Sequence, residues 1–184
     1  MMNVYVFAGQ GSQFKGMGKK LFEEFGDLVA QANSVLGYSI EDVCINNPEN
    51  KLNKTEYTQP AIFIVNALSY LKLKKDGLEK PDYFLGHSLG EYNALFAAGA
   101  FDFITGVKLV AERGKLMARA NDGGMYAVIG LDEQKVRKVI EENNLKEIDI
   151  ANINSYSQIV IAGPKDVLQN SKKLFEKAAV KNKI

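Results

Sequence analysis

The stretch Gly86-His87-Ser88-Leu89-Gly90 decides how this chain is read. Before it, Asp82-Tyr83-Phe84-Leu85 suits a buried strand; after it, residues 89–98, rich in Ala and Leu, suit a helix. A G-x-S-x-G sequence between a strand and a helix forces a sharp turn that lifts the serine hydroxyl clear of the sheet. Glycine is needed on both sides because a Cβ there would meet the neighbouring strand or helix. The backbone N–H of Leu89, at the helix start, then points to where an oxyanion would form. Without its setting, the same pattern is a glycine-rich turn with a bystander serine. The strand before and the helix after favour a nucleophile.

Composition narrows the class. With 184 residues, 46% hydrophobic and 24% charged, the chain can bury a substantial core as a globular protein. Its 23 basic and 22 acidic residues leave a net charge of +1, too weak a field to recruit nucleic acid or an anionic membrane. No apolar run reaches the length of a membrane span; the longest candidate, residues 61–73, is interrupted by Asn66, Ser69, Tyr70 and Lys72. No charged-then-apolar leader precedes the first strand. A single cysteine, Cys44, excludes an internal disulfide and fits a reducing cytoplasm. One Cys and one His provide nothing for a Cys/His metal cluster.

Along the chain, residues 3–8 read as a buried strand followed by a turn over residues 9–13. Residues 17–25 and 27–36 read as helices stopped by Gly26 and Gly37, and the polar stretch 46–54 as a loop. Pro60 is expected in the first turn of a helix with Ile62, Val65, Leu68 and Leu71 on one apolar face. Asp102 caps a long helix reaching Ala120. The run Asn121-Asp122-Gly123-Gly124 is the expected boundary between a first domain, residues 1–121, and a second, residues 122–184. The second reads strand (125–129), helix (132–143), strand (148–153), strand (158–162), helix (164–178), one strand short of a ferredoxin-like unit.

Several side chains carry chemical interest. On a helix over residues 103–120, at about 100° per residue, Lys108, Glu112, Lys115 and Arg119 share one solvated stripe. Phe103, Ile104, Val107, Val110, Ala111, Met117 and Ala118 lie opposite, and Arg113 falls at the edge of that apolar side. An arginine turned toward a core needs a partner, either a structural ion pair or a ligand carboxylate gripped bidentately. The turn at Gly9-Gln10-Gly11 lacks the third glycine of a dinucleotide loop and the lysine of a phosphate-binding loop, so neither nucleotide reading stands. A serine nucleophile needs a base. His87, the sole histidine, adjoins Ser88 inside a tight turn that keeps its ring from the hydroxyl, and reads as an elbow residue packing or hydrogen-bonding beneath the site. Glu91, one turn into the helix, reads as structural.

Ordered motifs add a resemblance. Phe7-Ala8-Gly9-Gln10-Gly11-Ser12-Gln13, Tyr57-Thr58-Gln59-Pro60-Ala61, Gly86-His87-Ser88-Leu89-Gly90-Glu91, Arg113-Gly114-Lys115-Leu116-Met117, Ala151-Asn152-Ile153-Asn154 and Gln158-Ile159-Val160-Ile161-Ala162-Gly163 occur in that order. Together they resemble the malonyl-CoA:acyl-carrier-protein acyltransferase family over essentially the whole chain. The wording of residues 36–40, 65–72 and 94–99 looks most like the discrete, trans-acting acyltransferases of modular polyketide synthases, with the fatty-acid enzyme close behind. A departure is Ala8, where the fatty-acid enzymes have proline before Gly-Gln-Gly.

The resemblance implies an α/β fold, an α/β-hydrolase-like core with an inserted ferredoxin-like subdomain. Both are expected to be incomplete at Ile184, where the last strand of the small unit should begin. It implies a cytoplasmic S-malonyltransferase that uses malonyl-CoA and an acyl carrier protein, with coenzyme A thioester as substrate and no metal or other cofactor. Ser88 is then the nucleophile, the N–H groups of Gln10 and Leu89 the oxyanion donors, and Arg113 the grip on the malonyl carboxylate. Gln59, His87 and Asn154 are expected around the substrate. For Gln59 alone the plainer reading is a cap, and for Asn152 and Asn154 turn hydrogen bonds. The family's base is a later histidine, expected in a C-terminal segment that completes the fold. The stripe of Lys108, Lys115 and Arg119 is either a docking face for an acidic carrier protein or a solvated face. Two other functions stay open: an editing thioester hydrolase of the same fold, against which Arg113 argues, and a non-catalytic module that binds carrier proteins.

Overall fold

The computed structural model describes residues 2–77, 79–120 and 122–180. Asn121, the first residue of the expected domain boundary, and Ile184 lie outside the described residues. The described residues up to Arg119 form one compact unit and those from Ala120 a second.

In the first unit, β1 (Val4–Phe7) pairs in parallel with β2 (Tyr83–Gly86), with Val4 opposite Tyr83 and Phe7 opposite Gly86. Between them run α1 (Lys19–Glu24), α2 (Gly26–Leu36), α3 (Ile40–Ile45), a 3-10 segment (Pro48–Asn53) and the long α4 (Thr55–Lys75). After β2 come α5 (Gly90–Ala97) and α6 (Phe103–Arg119). The strands were expected to be buried, but only alternate residues face inward. Phe7 and Phe84 pack on Tyr70 of α4, whereas Val4, Val6, Tyr83 and Leu85 are exposed. Strand side chains alternate between faces, and α4 and α5 lie against the face that carries the phenylalanines.

Helix α4 is the centre of this unit. Pro60 lies within it, five residues past its start at Thr55, not in its first turn. Proline there leaves the Glu56 carbonyl without its helical donor, a disruption of about 3 kcal/mol in an ordinary helix. Every residue from Thr58 to Ile64 is buried, so the expected single apolar face is too narrow. The reason is that α4 is surrounded by α1, α3, α5, α6 and the 3-10 segment. Its closest neighbour is α6: a Cβ on Gly106 would lie 2.3 Å from the Phe63 ring, and one on Gly114 3.1 Å from Glu56 Cα. Asp102 caps α6 as expected, accepting from Thr105 N–H at 2.7 Å. Two residues assigned to the buried side of α6, Met117 and Ala118, are exposed, because its last turn runs beyond the packed residues, which end at Gly114.

Helix α3 was not anticipated. Ser39 accepts from Asp42 N–H at 3.0 Å, an N-cap legible as Ser-x-x-Asp before an apolar run. Within the stretch expected to be a loop, Pro48–Asn53 forms a 3-10 segment kinked at Glu49 and Asn50, both with positive φ.

The second unit comprises β3 (Gly123–Ile129), α7 (Glu133–Glu142), β4 (Asp149–Ser155), β5 (Gln158–Pro164) and α8 (Lys165–Val180). Its sheet is antiparallel in the order β3-β5-β4, with Met125 opposite Ala162 and Asn152 opposite Val160. Asp132 caps α7 through Lys135 N–H at 2.9 Å. Val128, Leu131, Val136, Ile159, Ile161, Leu168 and Phe175 form its core. Among the described residues no helix is long and apolar enough to cross a membrane.

Candidate active site

The strand β2 ends at Gly86, and the chain must reverse into α5 within three residues. Ser88 stands at the apex with φ +50°, a left-handed conformation that a non-glycine residue adopts only when its surroundings impose it. The surroundings are explicit. His87 N–H donates to Phe7 O at 3.0 Å, Gly90 N–H to His87 O at 2.9 Å and Glu91 N–H to Ser88 O at 3.1 Å. A Cβ on Gly86 would sit 2.0 Å from the Gly90 carbonyl carbon, and one on Gly90 2.1 Å from Phe7 O. Both contacts are with backbone, so glycine is the only residue that lets β1, β2 and α5 approach this closely.

The turn after β1 lies against the same elbow. A Cβ on Gly9 would be 2.3 Å from His87 O. Among the described residues, the N–H groups of Gln10 and Leu89 have no hydrogen-bond acceptor, so both are free to receive one. The Ala8 carbonyl accepts from Asn66 Nδ2 at 2.9 Å. Asn66 Nδ2 also donates to Asn93 Oδ1 at 3.2 Å, and the fully buried Asn93 donates to Phe63 O at 2.9 Å. This amide pair ties the turn to α4 and α5.

Gln59, on α4, is fully buried. Its Nε2 donates to Gln10 Oε1 at 2.7 Å, and its Oε1 accepts from Arg113 Nη1. A cap is therefore not its role: it joins the β1 turn to α6. Arg113 reaches from α6 so that Nη2 lies 3.4 Å from Ser88 Oγ, with the guanidinium carbon 5.7 Å from the centre of the Tyr92 ring. The residue is half-buried, and among the described residues no carboxylate pairs with it. A desolvated guanidinium without an anion is costly unless one arrives as ligand.

So the first unit gathers Gln10, Gln59, Ser88, Leu89 and Arg113, linked by hydrogen bonds between side chains up to 54 residues apart. Asn154 lies on β4 of the second unit and is exposed. His87, expected to pack or hydrogen-bond beneath the site, is exposed; its carbonyl oxygen and Nδ1 lie 2.3 and 3.4 Å from the position a Cβ of Gly9 would take. Glu91 is exposed in the first turn of α5, where its charge complements the helix dipole. Lys108, Lys115 and Arg119 are exposed. Among the described residues no group of three or more His, Cys, Asp or Glu is placed to hold a metal ion.

The acyl transferase domain family model matches residues 4–183. The chain belongs to that family. It is 57% identical over 175 residues to the polyketide biosynthesis malonyl CoA-acyl carrier protein transacylase PksC of Bacillus subtilis, covering 95% of this chain and 61% of the relative. The crystal structure of malonyl CoA-acyl carrier protein transacylase from Burkholderia pseudomallei superposes with a TM-score of 0.89 at 49% identity, over 95% of this chain and 60% of that one. A malonyl-transacylase in complex with a type II polyketide synthase acyl-carrier protein superposes at 0.87 with 37% identity, over 97% and 60%. The chain thus spans about 60% of the length of these relatives. The mixed α/β fold of this acyl transferase domain matches theirs.

Sequence reasoning passed over Tyr92, Asn66, Asn93 and Ser12. Tyr92 had a signal: it sits in the first turn of the helix that follows the elbow, four residues after Ser88. The two asparagines had none, because their partners are 58 and 27 residues distant.

Proposed function

We propose that this acyl transferase domain takes a malonyl group from coenzyme A onto Ser88 and delivers it to the phosphopantetheine thiol of an acyl carrier protein in polyketide assembly. The observation that carries the reading is Arg113, a half-buried guanidinium 3.4 Å from Ser88 Oγ with no carboxylate partner among the described residues. An acyl group esterified to Ser88 and ending in a carboxylate would meet it, and a planar guanidinium offers that carboxylate two parallel donors. Gln59 and Tyr92 hold the guanidinium in place.

In the first half-reaction Ser88 Oγ attacks the thioester carbonyl and its proton passes to a base. The oxyanion is held by Gln10 and Leu89 N–H; the C–S bond then breaks and coenzyme A leaves as the thiol with that proton. In the second, the carrier thiol attacks the Ser88 ester and the serine recovers its proton. The base is assigned, on the resemblance, to a histidine beyond residue 184. The two units are read as part of an α/β-hydrolase-like core and a ferredoxin-like subdomain, with Asn154 of the latter facing substrate and His87 supporting the elbow. The setting is the cytoplasm, where malonyl-CoA and carrier proteins meet. An editing hydrolase of simple acyl chains has no use for Arg113.

Intact-protein mass spectrometry of the catalytically competent protein after exposure to malonyl-CoA tests the reading. One malonyl adduct is expected, and none with Ser88→Ala. An adduct that survives the substitution would end the assignment of the nucleophile.

A further inference from the structure

The turn that presents Gln10 has a glycine on each side of that residue. Gly9 must be glycine because His87 O lies 2.3 Å from where its Cβ would be, and Gly11 has φ +108°. Glycines impose little steric preference of their own on the peptide groups around Gln10, and the Gln10–Gly11 peptide is held by Gly11 N–H donating to Gln13 Oε1 at 2.8 Å. An oxyanion donor acts by being preorganised, so some contact must hold the peptide that carries it. The Gly9–Gln10 peptide is planar and trans, so its carbonyl and the Gln10 N–H point in opposite directions. Fixing one fixes the other. Ser12 Oγ donates to Gly9 O at 2.8 Å, backed by the longer bond from Ser12 N–H to the same oxygen at 3.3 Å.

We propose that Ser12 is a positioning residue for catalysis: its hydroxyl, donating to the Gly9 carbonyl, holds the Gly9–Gln10 peptide so that the Gln10 N–H faces the acyl carbonyl on Ser88. The inference rests on the functional reading above. It touches neither substrate nor nucleophile. The preceding peptide is anchored separately, through the Ala8 carbonyl and Asn66, so the two amide planes before Gln10 each have their own restraint. Ser12 itself is exposed and contributes nothing to the core, so its removal leaves the fold intact.

The test compares wild type, Ser12→Ala and Ser12→Thr in the catalytically competent protein, by rapid quench of single-turnover acylation with malonyl-CoA. Loss of a whole oxyanion donor costs ~100- to 1,000-fold, so a donor left in place but loosened should cost roughly 10- to 30-fold in the maximal acylation rate. The half-saturating malonyl-CoA concentration should move by less than about twofold, because the hydroxyl acts on the transition state. Threonine keeps the hydroxyl and should restore most of the rate. The thermal midpoint should stay put in both variants. Wild-type acylation by Ser12→Ala, a loss confined to the half-saturating concentration, or a loss that threonine does not repair would each overturn the role of Ser12. A wild type that forms no adduct, or an adduct that persists in Ser88→Ala, would instead overturn the functional reading and the inference with it.

Discussion

Replacing Arg113 by alanine should change which acyl group the protein accepts more than how fast it works. The guanidinium has two terminal nitrogens, one shared with Gln59 and one near Ser88 Oγ, and no carboxylate partner among the described residues. A bound malonyl carboxylate would gain two charge-assisted hydrogen bonds, each worth about 1.5–3 kcal/mol. Arg113 is half-buried, so solvent screening favours the lower end, about 3 kcal/mol in all. That corresponds to roughly a 100-fold loss in kcat/KM for malonyl-CoA. Acetyl-CoA has no carboxylate to lose, so the malonyl-to-acetyl preference should collapse by the same factor. Arg113→Lys keeps a point charge without the two-pronged geometry and should recover about one tenfold step. The assay is kcat/KM for both thioesters, measured side by side for each variant. Some loss common to both is expected if Ser88 shifts, and the ratio removes it. Equal losses for malonyl-CoA and acetyl-CoA would refute the reasoning and reduce Arg113 to a strut between α6 and α4.

Two further outcomes follow from the packing. Gly86→Ala would place a Cβ 2.0 Å from the Gly90 carbonyl carbon; because backbone cannot yield as a side chain can, the cost should reach about 3 kcal/mol or more. Thermal unfolding should show a clear drop in midpoint with loss of Ser88 acylation, and an unchanged midpoint would mean that the elbow relaxes freely. Burial pushes the Cys44 thiol up to about 12, with the nearby Glu41 charge adding to it. It should therefore resist alkylation in the folded protein near pH 8 and react once unfolded. The unfolded thiol loses its proton at a lower pH than the folded one, so stability should fall as pH rises from about 8.5 upward. Denaturation midpoints of wild type and Cys44→Ala, compared across that range, should converge; a constant gap would contradict the shift.

Much of this protein is settled by local rules that a sequence displays. The elbow is one: Gly86 and Gly90 are dictated by a strand-to-helix reversal, and Ser88 occupies its apex. Gly37 ends α2 with φ +77°, and Asp102 and Asp132 cap α6 and α7 through the N–H groups three residues on. Each depends on a few neighbouring residues, so periodicity and residue type suffice. Even α3 was announced by Ser39 and Asp42 and simply passed over.

Other features depend on contacts between segments far apart in the chain. Whether α4 shows one face or is wrapped on all sides is set by which helices surround it, and its own pattern cannot tell. The same holds for Pro60, tolerated inside α4 where a helix rule would place it at the start, and for Met117 and Ala118, apolar yet exposed past the buried residues of α6. Local pattern was enough to place a serine on a sharp turn and Arg113 at the edge of an apolar face. It took the fold to bring Gln10, Gln59 and Arg113 into one hydrogen-bonded line ending at that serine. Side chains 25 to 54 residues apart meet only when α4 packs against the glycines of α6, and that approach is a property of two surfaces together.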